Sequence, residues 1–144
     1  MRPPPGLVGV VLCASFIRNP HPYIPSFLAS VVRPPVLRLF PPFAQIKALL
    51  GGYSSPSLRS LIHEALSRVA PAVLACRIRE VLQVDVAQQL QSCSVPVLYL
   101  RAHSDLVVPA WNVKAIRKVS PALQVVSLRG PHMVLQASPA ATAQ

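Results

Sequence analysis

Three stretches of the chain, residues 8–16 (VGVVLCASF), 96–102 (PVLYLRA) and 123–129 (LQVVSLR), are apolar runs of strand length, the last more mixed. The first two lack the apolar–polar alternation of a strand with one wet face. Continuous runs of this kind belong to parallel strands buried under helices on both sides. The fold class that follows is α/β, with about three parallel strands and flanking helices. At 144 residues the chain has room for one such core, which at this size removes roughly 70% of the unfolded chain's surface from water.

The second and third runs are joined by PAWNVKAIRKVSP, in which Val108, Trp111, Ala115, Ile116 and Val119 trace a helical stripe. Asn112, Lys114 and Lys118 fall on the other faces, and Pro121 closes the helix. Strand, helix and strand make a βαβ crossover, which is right-handed in nearly all folds.

Residues 19–94 differ in character. They open on NPHPYIPSFLASVVRPPVLRLFPPF, where Pro20, Pro22, Pro25, Pro34, Pro35, Pro41 and Pro42 cut any helix into short pieces. Residues 44–50 read as a helix ended by Gly51 and Gly52. Ser57 reads as the N-cap of a helix over 58–69, a further helix covers 72–83, and Asp85 caps a last one over 87–90. Short helices between two core strands have the form of a lid. The chain therefore divides into a core, 1–18 and 95–144, and a helical cap insertion, 19–94, within one domain.

The net charge of +10 reflects a shortage of acids, only Glu64, Glu80, Asp85 and Asp105, as much as an excess of bases. The bases are scattered singly instead of lining one face with aromatics between them, so no specific nucleic-acid partner is expected. Charged residues make up 12% of the chain against about 25% in ordinary domains; the surface must be apolar, and self-association follows. Cys13, Cys76 and Cys93 form no C-x-x-C and have no histidine at zinc-ligand spacing, so no metal is implied and buried thiols in a reducing compartment are expected. Arg2 and the run 7–17 imitate a secretory signal, but Pro3, Pro4 and Pro5 speak against one and the run is too short to span a bilayer. The expected location is cytoplasmic, with secretion as the alternative if residues 1–15 are a signal.

Asp105 and His132 each follow one of the apolar runs, in VPVLYLRAHSDLVVP and LQVVSLRGPHMVLQ. Parallel strands deliver their C-terminal loops to one sheet edge, so the two side chains are expected to converge. A carboxylate beside a histidine fixes its tautomer and stabilises the imidazolium formed when it takes a proton. Taken singly, Asp105 also reads as a cap for the helix starting near Pro109, and His132 as a turn residue. A G-x-S-x-G nucleophile elbow does not occur in the sequence. Ser15, at the end of the first run, is the best-placed hydroxyl; Ser54 and Ser55 sit in a turn after Gly51 and Gly52. Cys13 reads as buried, with a thiol pKa too high for easy reaction. His21, His63, Glu64 and His103 read as surface residues without partners.

The VLCASF strand, the helical insertion, VPVLYLRAHSDLVVP and RGPHMVLQASP together resemble the C-terminal part of the α/β-hydrolase superfamily, of the kind with a helical cap before its last strands. The resemblance covers essentially the whole chain, with Asp105 at the acid position and His132 at the base position. It implies a truncated α/β-hydrolase fold, strands six to eight of an eight-stranded, mostly parallel sheet plus an inserted helical cap. The sequence departs from the family in lacking the early strands, the oxyanion-hole loop and the elbow.

The resemblance implies an esterase-like hydrolase of carboxylic esters with short or medium acyl chains. His132 is then the general base, Asp105 its orienting acid and Ser15 the candidate nucleophile, with no cofactor. Tyr23, Phe27, Leu28, Leu37, Phe40 and Phe43 line the acyl site or, equally, form the core of the cap. The alternative is a non-catalytic hydrolase remnant serving as a binding or oligomerisation module. A long apolar strand left at a sheet edge is a template for association, so a two-fold homodimer through that edge or through the cap helices is expected.

Overall fold

A computed structural model describes residues 4–37 and 39–139. Its sheet has three parallel strands in sequence order, β1 (Val10–Cys13), β2 (Val97–Ala102) and β3 (Gln124–Leu128). Register is continuous, with Cys13 beside Leu100 and Leu100 beside Val126. The strands fall within the three apolar runs, and β1 is shorter than its run. After Cys13 the chain leaves the sheet at Ala14, whose φ of 44° is left-handed, a conformation costing a non-glycine residue of order 1 kcal/mol.

Between β1 and β2 the described residues form a 3-10 turn (Ser26–Val31) and five helices: α1 (Pro34–Leu37), α2 (Pro42–Leu50), α3 (Pro56–Ser67), α4 (Pro71–Gln83) and α5 (Ala87–Gln91). The prolines break this stretch into pieces, and they also start the pieces: Pro42, Pro56 and Pro71 stand in first turns, where the missing N–H costs nothing. Gly51, at φ 53°, turns the chain out of α2. The cap of α3 is Ser55, which accepts from the Leu58 N–H, and not the expected Ser57. Starting the helix on Pro56 moves its N-terminus two residues upstream. Asp85 accepts from the Ala87 N–H and pairs with Arg18. The Ala87 contact lowers its pKa most; burial opposes it, and the Arg18 pairing adds to the lowering. Glu64, read as unpartnered, pairs with Arg68 one helical turn on, and His21 shares a hydrogen bond of 2.6 Å with the Tyr23 hydroxyl.

After β2 come α6 (Trp111–Val119), β3 and α7 (Val134–Ala137). Val108 lies before α6 instead of on it. The expected polarity of the first turn is reversed: Trp111 is exposed, while Asn112 is buried and donates to the Pro20 and Pro109 carbonyls. Trp111 also donates to Pro20, so these two residues tie the segment that follows β1 to the sheet-covering helix.

The core explains which face of the sheet is finished. Val97 and Tyr99 pack with Ile17, Ala87, Val113, Ile116 and Leu123 on the α5–α6 side. On the other face only the strand ends are covered, where Ala14, Ala102, Leu128 and Val134 meet. In mid-sheet on that face Val11 is 61% and Val126 46% exposed. The expectation of helices over both faces therefore holds for one face among the described residues, because α7 is four residues long and reaches only the strand ends.

Candidate functional site

β2 and β3 end side by side, and their loops carry the acid and the histidine. Two backbone bonds lock the loops together: the His103 N–H donates to the Leu128 carbonyl and the Ser104 N–H to the Gly130 carbonyl, both at 2.9 Å. The Asp105 side chain is 3% exposed and that of His132 24%. His132 Nδ1 stands 3.0 Å from Asp105 Oδ2 and 3.2 Å from Oδ1. An ionised carboxylate only accepts, so Nδ1 carries the proton and Nε2 is left with its lone pair. Asp105 Oδ1 also accepts the Val107 and Val108 N–H groups at 2.8 and 2.7 Å. The carboxylate is thus held by its own loop before it holds the imidazole. The expected helix-capping role is absent, since α6 starts later, at Trp111.

The histidine loop is fixed from its other side. Pro131 and Val134 are fully buried. A Cβ on Gly130 would stand 2.7 Å from Val134 Cγ2, nearer than real Cβ contacts come. The Met133 N–H donates to the Leu49 carbonyl at 3.3 Å, which joins the end of α2 to the residue after His132.

Ser15 follows the strained Ala14 and is bracketed by one side chain: the Tyr99 hydroxyl donates to its carbonyl at 2.7 Å and accepts from its N–H at 3.0 Å. Burial above all pushes the Tyr99 phenol up to about 12, against the lowering effect of its bond to Ser15, and the Asp105 charge adds to the rise. Ser15 is partly buried. Among the described residues no hydrogen bond joins its hydroxyl to His132. Ser55 is occupied as a helix cap, with its hydroxyl also 3.1 Å from that of Ser57. Burial, and then the Asp105 charge, push the Cys13 thiol up, which keeps it protonated and a poor nucleophile.

A cleft of about 340 Å³ lies among the helices between β1 and β2, with Pro34, Leu37, Phe40, Ile46, His63 and Leu74 among its walls. Of the residues read as an acyl site, Leu37 and Phe40 line it; Tyr23, Phe27, Leu28 and Phe43 do not, and neither do Asp105 or His132. Tyr99, Gly130 and Asn112 were not singled out in the sequence as parts of the site. Tyr99 had one available signal, a hydroxyl inside an otherwise apolar strand.

No protein-family model and no curated protein matches the sequence. Solved structures do match its fold. An esterase from Thermogutta terrifontis aligns at TM-score 0.74 and 19% identity over 96% of this chain and 53% of its own. A bromoperoxidase from Bacillus anthracis aligns at 0.73 and 18% over 93% and 54%. An α/β-hydrolase enzyme, MGS-M2, from a deep-sea metagenome of the Medee basin aligns at 0.58 and 16% over 90% and 51%. The fold is that of an α/β-hydrolase, and the chain spans about half the length of the structures it matches.

Proposed function

We propose that the protein hydrolyses carboxylic esters with short or medium acyl chains by a Ser/Asp/His-type mechanism, with residues 1–18 and 95–144 as its core and 19–94 as its cap. The observation that carries the reading is the buried Asp105 bonded to His132 Nδ1. In the mechanism this pair supports, His132 Nε2 takes the proton from a hydroxyl as its oxygen attacks the ester carbonyl. Asp105 stabilises the resulting imidazolium, which then protonates the departing alcohol. A water repeats the sequence on the acyl intermediate and releases the acid.

Ser15 is the nucleophile in this reading, because it leaves the same sheet edge as Asp105 and His132 and its backbone is held by Tyr99. Reaction with a fluorophosphonate probe followed by peptide mapping is expected to find the adduct on Ser15, and Ser15→Ala is expected to abolish labelling. The lack of a hydroxyl bonded to His132 among the described residues favours a second reading, a non-catalytic binding or oligomerisation module. An unlabelled protein with no turnover of p-nitrophenyl esters decides for it.

Among the described residues β1 stands at the edge of the sheet, and this supports a two-fold homodimer through that edge. Sedimentation at micromolar concentration is expected to show the dimer; a monodisperse monomer removes it.

A further inference from the structure

The first 63 residues contain no Asp or Glu, and the stretch 20–47 carries Arg33, Arg38 and Lys47. Arg33 and Lys47 are exposed and belong to none of the ion pairs among the described residues. In the same stretch Tyr23, Phe27, Val31, Leu39, Phe40 and Phe43 are each more than half exposed. A single exposed apolar side chain is ordinary. Six large ones between residues 23 and 43, in a stretch whose charged residues are all bases, are more apolar exposure than scattered single side chains give. The 3-10 turn and α1 both pack on α4, while Phe27, Val31, Leu39 and Phe40 of this region stay more than half exposed.

We propose that this stretch, residues 20–47, docks on a lipid surface bearing anionic headgroups. Aromatic rings suit the boundary between headgroups and acyl chains, and cationic side chains beside them meet the negative leaflet surface. Charge decides among the occupants. A second copy would set Arg33 and Lys47 against their own kind, in a chain whose net charge is already +10. An anionic bilayer answers both the rings and the bases. Docking requires no crossing, and among the described residues no helix is long and apolar enough to cross a membrane.

The position of the patch gives it a use. Pro34, Leu37 and Phe40 line the apolar cleft of about 340 Å³, the lower end of the size range of ligand sites. α2 carries Phe43 in its first turn and, in its last, Leu49, whose carbonyl bonds the residue after His132. Nine residues of helix span about 13 Å. The surface that meets lipid is thus one short helix away from the Asp105–His132 pair. The substrate class that follows, an ester held in or at a bilayer, rests on the hydrolase reading; the docking does not.

Flotation of the full chain with vesicles of phosphatidylcholine, alone or mixed with phosphatidylserine, tests the proposal. The protein is expected to rise with the mixed vesicles and only weakly with phosphatidylcholine. R33Q/K47Q is expected to weaken binding about fivefold per charge removed, and F27Q/F40Q/F43Q to weaken it further, while K114Q/R117Q/K118Q on α6 has little effect. F43W is expected to bind as the native chain does, with a blue-shifted emission on mixed vesicles. The proposal falls if the native protein stays below the mixed vesicles, or if the α6 variant loses as much as R33Q/K47Q. It falls equally if F27Q/F40Q/F43Q alters the sedimentation coefficient without lipid, which identifies a second copy as the occupant. H132A should float unchanged, so loss of ester turnover and loss of docking are read separately.

Discussion

Asp105→Asn is expected to lower ester turnover by about 10³–10⁴-fold while leaving the protein folded. The substitution separates two roles that one carboxylate performs. Oδ1 accepts from Val107 and Val108, and the amide oxygen of Asn keeps both bonds. Oδ2 is the nearer partner of His132 Nδ1, at 3.0 Å, and there Asn presents an N–H. The imidazole must then accept at Nδ1 and carry its proton on Nε2, the wrong atom for a base. Asp105→Ala tests less, because it also strips two backbone donors of their acceptor in a site where the side chain is 3% exposed. His132→Ala removes the base outright and is expected to cost at least as much turnover as Asn. Rates on a p-nitrophenyl ester, with thermal melts alongside, provide the check. Unchanged turnover in a variant of unchanged Tm would mean that Asp105 only ties its loop, and the hydrolase reading would go with it.

The parts of this fold that were legible in the sequence are those written in short-range pattern. Apolar runs located all three strands, the first two without alternation and the third more mixed, and the C-terminal loops of the last two carried Asp105 and His132 to one place because parallel strands end together. Helix positions between β1 and β2 followed from Gly51 and from the apolar spacing of 72–83. Capping was less legible: Ser55 and Ser57 are both good caps, and Pro56 at the first helical position decides between them. The reversal at Trp111 and Asn112 was not legible, since it depends on the Pro20 carbonyl, which is some ninety residues away in the chain. Tyr99 gripping the backbone of Ser15 is of the same kind. The open mid-sheet face around Val11 and Val126 could not be read either, because a strand's composition records a tendency to be buried and not what buries it.

Gly130→Ala is expected to destabilise the protein by about 1–3 kcal/mol and to reduce turnover by about 10²-fold, although the residue takes no part in the chemistry. Its φ is not left-handed; the constraint is one of space. The new methyl would lie 2.7 Å from Val134 Cγ2, and Val134 is fully buried with nowhere to retreat. What moves instead is the loop. Gly130 gives its carbonyl to the Ser104 N–H, one residue before Asp105, and stands two residues before His132, so a shift of a few tenths of an ångström separates the acid from the base. A double-mutant cycle identifies the cause. Val134→Ala removes the clashing Cγ2 and leaves the Cβ at 3.3 Å and the Ser138 Oγ at 3.5 Å, at the ordinary cost of a small cavity. Adding Gly130→Ala to that background is expected to cost at least about 1 kcal/mol less than adding it to the native chain, with turnover recovering relative to the single variant. Strictly additive losses in Tm and rate would show that the glycine matters for some reason other than its contact with Val134. In that case the close packing beneath His132 would not be what sets the distance between the imidazole and Asp105.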